Sequence, residues 1–168
     1  APAGRLCAQM MPPIRVTGTI KPKAVREVKP GVFVFDLGQN IPGWARIRVS
    51  GPAGREVVLR YGEQLSADGT VDQSAIREHV YGGDFQTDRY FLRGQGVEQW
   101  EPLFAYHGFQ YVEVTGWPGR PTLDDLDGRV VHTAFERTGS FACSNDLINR
   151  IEQNTIWSYV GNFHGYPT

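Results

Sequence analysis

Short runs of alternating or β-branched residues recur along this chain. Residues 14–20 (IRVTGTI), 32–37 (VFVFDL), 44–50 (WARIRVS), 56–62 (EVVLRYG), 89–94 (RYFLRG), 110–116 (QYVEVTG) and 129–135 (RVVHTAF) each predict a strand. In WARIRVS, Trp44 and Val49 read as one apolar face and Arg46 and Arg48 as a charged one, with a slip at Ala45. The segments GPAG (51–54), ADG (67–69), GQG (94–96) and WPGRP (117–121) predict turns, because Gly supplies positive φ and Pro presets its own. Trp117, in the last of these, is expected to be exposed. Residues 66–88 are polar with a weak helical centre, and a loop that long is either functional or mobile. The period then changes. SNDLINRIEQNTIWSYV (144–160) predicts a helix, with Ser144 or Asn145 as N-cap and acidic Asp146 in the first turn. On that helix Leu147, Ile148 and Ile151 fall on one side, and Ile156, Trp157 and Val160 on nearly the opposite one. The pattern predicts an all-β chain, an antiparallel β-sandwich over residues 1–143, followed by one helical segment over 144–168.

Composition changes this picture little. The 168 residues suit one domain, and the 20 Gly and 11 Pro are scattered singly, as in many short strands joined by turns. A net charge of −1 with no Lys/Arg cluster argues against nucleic acid as a partner. No apolar run reaches the ~20 residues that span a bilayer, so no membrane partner is expected. Residues 1–16 lack the basic and apolar regions of a signal peptide, and the compartment is left open. Cys7 and Cys143 could pair in an oxidising compartment, but they show no metal-ligand or CxxC spacing, so two buried free thiols are the favoured reading and no cofactor is implied.

Candidate chemistry is sparse. There is no nucleophile elbow, phosphate loop or HExxH. Glycosidases need only two carboxylates, and Asp36, Glu63, Asp84, Asp88, Glu98, Glu101 and Glu113 are available, but nothing singles out a pair. DLDGR (125–129) lacks the spacing of a calcium loop and reads as a polar turn. His107 lies among alternating aromatics, which favours a core or cross-strand role. Trp44, Trp100, Trp117 and Trp157 offer platforms for sugar stacking, although Trp44 and Trp100, lying within strand patterns, read better as core. DLGQNIPGW (36–44) brings Asp36, Gln39, Asn40 and Trp44 together. Its plainer reading is a turn in which Asp36 bonds nearby amides.

Four long motifs in order carry a resemblance: LCAQMMPPIRV (6–16), VFDLGQNIPGWARIRVSGPAGREVVLRYGEQLSADG (34–69), EQWEPLFAYHGFQYVEVTGWPG (98–119) and TGSFACSNDLINRIEQNTIWSYVGNFHGYPT (138–168). Together they span essentially the whole chain. They resemble bacterial α-L-rhamnosidases of glycoside hydrolase family 78, and within them the concanavalin-like, jelly-roll sandwich that precedes the catalytic (α/α)6 barrel. The resemblance implies a linker helix running into a catalytic domain of the same chain, and inverting hydrolysis of terminal α-L-rhamnosides by two carboxyl groups of that barrel. No residue here matches those two groups, so no catalytic or metal-binding residue is expected in this chain.

Three functions compete on this reading. The chain supports the barrel, with Ile156, Trp157 and Val160 as the uncovered face that docks to it. Alternatively it is a carbohydrate-binding module for rhamnose-containing glycans, with Asp36, Asn40, Trp44 and Trp117 as candidates. Hydrolysis by this chain unaided is the least favoured. In a variant of the first, the 66–88 loop, with Tyr81, Asp84 and Asp88, shapes the substrate pocket.

Overall fold

A computed structural model describes residues 4–77 and 83–167, so Tyr81 lies outside the described residues. The main sheet contains β1 (Ile14–Ile20), β2 (Ala24–Lys29), β3 (Val32–Val49), β4 (Glu56–Gly62), β7 (Thr87–Phe91), β8 (Glu98–Trp100), β9 (His107–Thr115) and β10 (Leu126–Thr133). The strands run in the order β1-β10-β3-β9-β4-β7, with β2 and β8 also paired to β3, and every pairing whose register is resolved is antiparallel. Two short hairpins, β5 (Gln64–Leu65) with β6 (Val71–Asp72) and β11 (Phe163–His164) with β12 (Tyr166–Pro167), stand outside it. One helical turn, α1 (Ser74–Arg77), lies within the 66–88 stretch, and the long helix is α2 (Asp146–Gly161). No helix among the described residues is long and apolar enough to cross a membrane.

The curl of the sheet into a sandwich depends on β3, whose 18 residues serve both layers. Val32–Asp36 pairs with β2 on one side and β9 on the other. Ile41–Gly43 stays on β9, and the strand then takes β10 and β8 as neighbours. Between the halves Asp36 pairs with Tyr111 but Ile41 with Phe109, so four residues of β3 stand opposite Gln110 alone. Such a bulge bends and twists a strand. The second half also needs Gly43, which has φ +145°, because a Cβ there would sit 1.8 Å from the Arg129 carbonyl oxygen.

Alternation gives the core. Phe33, Phe35 and Leu37, then Ile41, Ala45, Ile47 and Val49, point inward from β3, and they meet Val57, Leu59 and Tyr61 of β4 and Phe109, Val112 and Val114 of β9 in the buried interior. Each large apolar side chain so buried contributes roughly 1.5–3 kcal/mol. The slip read at Ala45 does not exist. Ala45 points inward, and Trp44 lies with Arg46 and Arg48 on the half-buried outer face. Small Ala45 fits where the layers close, whereas Trp44 has a polar handle that finds a carboxylate outside. Trp100 is likewise half-buried, stacked on Tyr90 at 5.0 Å. Trp117 is buried rather than exposed, and its turn packs closely on Gly51, where a Cβ would stand 2.5 Å from Pro118 Cγ.

Cα packing divides the chain into two units, Val16–Val131 and a second made of residues 1–15 with His132–Thr168. In the second unit α2 starts as predicted, with Asn145 Oδ1 accepting the Leu147 and Ile148 amides. Its apolar faces differ from expectation. Leu147, Ile148 and Ile151 are exposed at 66%, 45% and 56%, while Val160 is buried and Ile156 and Trp157 are half-buried. The cause is an aromatic cluster at the C-terminal end of the helix, where Phe135, Tyr159 and Phe163 meet pairwise at 5.3–5.4 Å. Burial therefore concentrates on the last turns and leaves the first ones bare. Cys7 and Cys143 are free but exposed, because neither lies in a strand.

Candidate functional site

The register of β2, β3, β9 and β4 places two rows of side chains on the outer face of one layer. Ala24, Asp36, Tyr111 and Gly62 form the first, and Arg26, Val34, Glu113 and Arg60 the second. The β5–β6 hairpin lies across one end of this face and turns it into a groove of about 230 Å³, lined by Ala24, Arg26, Val28, Val34, Asp36, Leu65, Gly69 and Tyr111.

Three contacts hold the hairpin there. Buried Glu113 uses one oxygen to accept the Val71 amide at 2.9 Å and the other for Arg60 Nη1 at 3.0 Å. Lys29 Nζ lies 2.7 Å from Asp68 at the hairpin tip. Gly62 lets β6 approach, since a Cβ there would stand 2.5 Å from Val71 Cγ1. Lys29 first, and Thr70 second, hold the Asp68 carboxyl well below the usual carboxylate range.

Inside the groove Asp36 is half-buried. Its Oδ1 accepts the Gly38 amide at 2.6 Å and the Gln110 side-chain amide at 3.0 Å, which is the turn bonding expected of it. The Gln110 amide also reaches the Tyr111 hydroxyl at 3.1 Å. Arg26 is exposed and makes no side-chain hydrogen bond or ion pair among the described residues.

The four residues proposed from sequence for carbohydrate lie in separate environments. Asp36 belongs to the groove, whereas exposed Asn40 donates to Glu63 Oε1 at 2.8 Å. The Trp44 indole N–H donates to Glu101 Oε2 at 2.7 Å, where Arg129 Nε also binds at 3.0 Å. Trp117 is buried. The groove residues Arg26 and Tyr111 were missed, and the sequence offered no signal for either, because only the register brings them beside Asp36.

Each carboxylate offered for a glycosidase pair has a partner within the chain. Asp84 binds Arg89. Asp88 accepts the Tyr61 hydroxyl at 2.7 Å and lies 3.1 Å from His107 Nε2. Burial, and then Asp88, push the Tyr61 phenol well above its usual pKa, and His107 stacks on that ring at 4.1 Å. Glu98 is buried. It takes the Tyr90 hydroxyl at 2.6 Å and the Arg93 and Gly94 amides at 3.0 and 2.8 Å, and these bonds, Tyr90 first, lower its pKa to about 2. DLDGR also divides. Leu123–Asp125 is a 3-10 turn, but Asp127 is fully buried in β10 with Lys21, Arg46 and Arg48 around it. No group of three or more potential metal ligands occurs among the described residues.

The curled antiparallel sheet makes this an all-β sandwich domain, and the concanavalin-like domain of bacterial α-L-rhamnosidases matches residues 26–132 of it. The chain belongs to that family. The six-hairpin glycosidase domain of bacterial α-L-rhamnosidases matches residues 136–168. An α-L-rhamnosidase of Streptomyces avermitilis is 44% identical over 98% of this chain, and one from Formosa agariphila is 34% identical over 96% of it. The chain spans only 15% and 17% of those relatives. Among solved structures, the α-L-rhamnosidase from Dictyoglumus thermophilum superposes with a TM-score of 0.91 at 46% identity, over 98% of this chain and 18% of that one. The Streptomyces avermitilis enzyme complexed with L-rhamnose gives 0.89 at 45%, over 96% and 15%.

Proposed function

We propose that this chain is the sandwich module of a larger α-L-rhamnosidase that cleaves terminal α-L-rhamnosides with inversion, and that its own part is support rather than catalysis. In this reading residues 1–143 form the accessory sandwich, and 144–168 lead into the catalytic barrel. The supporting observation is the bare stripe of Leu147, Ile148 and Ile151, in the segment matched by the six-hairpin glycosidase domain. Three large aliphatic side chains at the start of one helix gain roughly 1–2 kcal/mol each when covered. The sandwich's own carboxylates are bonded to structural partners, so they are poorly placed to act as the separated acid and base of an inverting enzyme.

Two measurements test this. The 168-residue chain should show no turnover of a chromogenic aryl α-L-rhamnoside, and turnover would refute the assignment of catalysis to other residues. The catalytic region of the Streptomyces avermitilis relative, produced without its matching segment, should bind the chain. Leu147→Asp with Ile151→Asp should abolish that binding while leaving the sandwich folded by circular dichroism.

A further inference from the structure

The groove under the β5–β6 hairpin is built to a degree that a bare sheet face is not. An ion pair ties the hairpin tip to β2, a buried glutamate anchors β6, and a glycine lets β6 come close. What it encloses is mixed. Ala24, Val28, Val34 and Leu65 give aliphatic surface, and three polar groups stand against it.

Those three groups have capacity to spare. Asp36 Oδ1 is committed to Gly38 and Gln110, and its second oxygen makes no bond among the described residues, so it is a fixed acceptor. The Tyr111 hydroxyl accepts from Gln110 and keeps its own proton to donate, beside an aromatic ring. Arg26 offers an uncommitted fork of donors opposite Val34. A fixed acceptor, a hydroxyl and a planar donor around an aliphatic wall suit a ligand with several hydroxyls on one side and C–H groups on the other. An anion would meet Asp36, and an apolar ligand would desolvate the half-buried Asp36 carboxylate without offering it a donor. The volume of about 230 Å³ is below the roughly 300–1,000 Å³ of drug-sized pockets, which limits the ligand to one ring.

We infer that this groove is a carbohydrate-binding site for a single neutral pyranose unit, held by Arg26, Asp36 and Tyr111. The site shares no residue with the exposed stripe on α2. Only the choice of L-rhamnose as first probe rests on the rhamnosidase reading.

The test is a backbone NMR titration of the 168-residue chain with L-rhamnose, L-fucose, D-galactose and D-glucose into the tens of millimolar. Saturable shifts at residues 24–28, 34–36, 65–69 and 111 with any of these sugars support the site. Tyr111→Ala and Arg26→Ala should each weaken binding about tenfold, equivalent to about 1.4 kcal/mol, with unchanged spectral dispersion. Saturation by a sugar other than rhamnose upholds the groove while detaching it from the rhamnosidase reading. Absence of saturable shifts with all four sugars overturns the proposal, and so do shifts that persist undiminished in both variants.

Discussion

Replacing Asp127 by asparagine keeps the side chain's shape and takes away the single negative charge that Lys21, Arg46 and Arg48 share. The carboxylate is completely buried at the start of β10. Its Oδ2 accepts from Arg46 Nη2 at 2.6 Å and from Arg48, and Lys21 Nζ lies 2.9 Å from Oδ1. Burial alone raises its pKa, but Arg46, Lys21 and Arg48 outweigh burial and hold it at about 2 against a usual 3.8. A gap of nearly two pKa units, at about 1.4 kcal/mol per unit, corresponds to about 2 kcal/mol of stability at neutral pH. Lys21 is more than half exposed and both guanidinium groups are partly so, which screens the attraction and brings the figure toward 1 kcal/mol. The substituted amide also turns an N–H or a weaker acceptor toward three cations, and leaving them poorly partnered adds about 1 kcal/mol to the loss. The expected net destabilisation is therefore about 2 kcal/mol, a fall in Tm of roughly 4–8 °C for a chain of this size. The pH dependence gives the sharper test. A depressed carboxyl stabilises the fold above its unfolded pKa near 4 and loses that contribution as pH falls toward 2. Thermal melts of Asp127→Asn and of the parent chain should thus differ most at neutral pH and converge between about pH 4 and 2. A gap in Tm that stays constant down to about pH 2.5 would refute the charge argument and leave only a packing effect.

Four other perturbations have outcomes set by the geometry. Phe104, fully exposed with φ +64°, holds a left-handed backbone unsuited to an aromatic residue, so Phe104→Gly should raise the urea midpoint by the equivalent of about 1 kcal/mol. Glu113→Gln weakens the grip on the β5–β6 hairpin, and hydrogen exchange at the Val71 amide should accelerate while the core amides of β9 hardly change. Asn145→Ala removes the acceptor for two amides of α2 and should cost about 1 kcal/mol, read as lost helical ellipticity on heating. Both Cys7 and Cys143 should react promptly with a thiol reagent in the native state, without denaturant.

The clean strands were legible from sequence because each is an unbroken run of alternating or β-branched residues. Residues 14–20 and 56–62 are strands over those bounds. β3 read as two pieces since Gly38, Asn40, Pro42 and Gly43 carry every mark of a turn, and the chain uses them to bend a strand rather than end it. β2 (AVREVK) and β8 (EQW) escaped notice, one because charges mask its period and the other because three residues have none. The two faces of α2 were visible, but which is covered depends on where Phe135 and Phe163 lie, a tertiary fact. The same holds for the groove. Asp36 stood out as a polar residue in a turn, but Arg26 and Tyr111 become its neighbours only through the pairing of β2 and β9 to β3, and Tyr111 is 75 positions away. Trp44 and Trp117 misled in opposite directions, since local pattern says little about whether an indole meets a carboxylate on the outer face or is buried.

The outermost strand carries a consequence for synthesis. Among the described residues β1 pairs only with β10, and the Thr17 hydroxyl donates to the carbonyl of Val130, 113 positions later. At about 5–20 residues per second, a ribosome takes roughly 5–20 seconds to supply that partner. Throughout that interval β1 is an open ribbon edge, the kind of template on which nascent chains stick to one another. Its composition suits the wait. Arg15, Thr17 and Thr19 alternate with Ile14, Val16 and Ile20, and no residue of the strand is fully buried even once β10 has arrived. A first strand that can stay wet without harm is what a sheet needs when its closing partner is translated last.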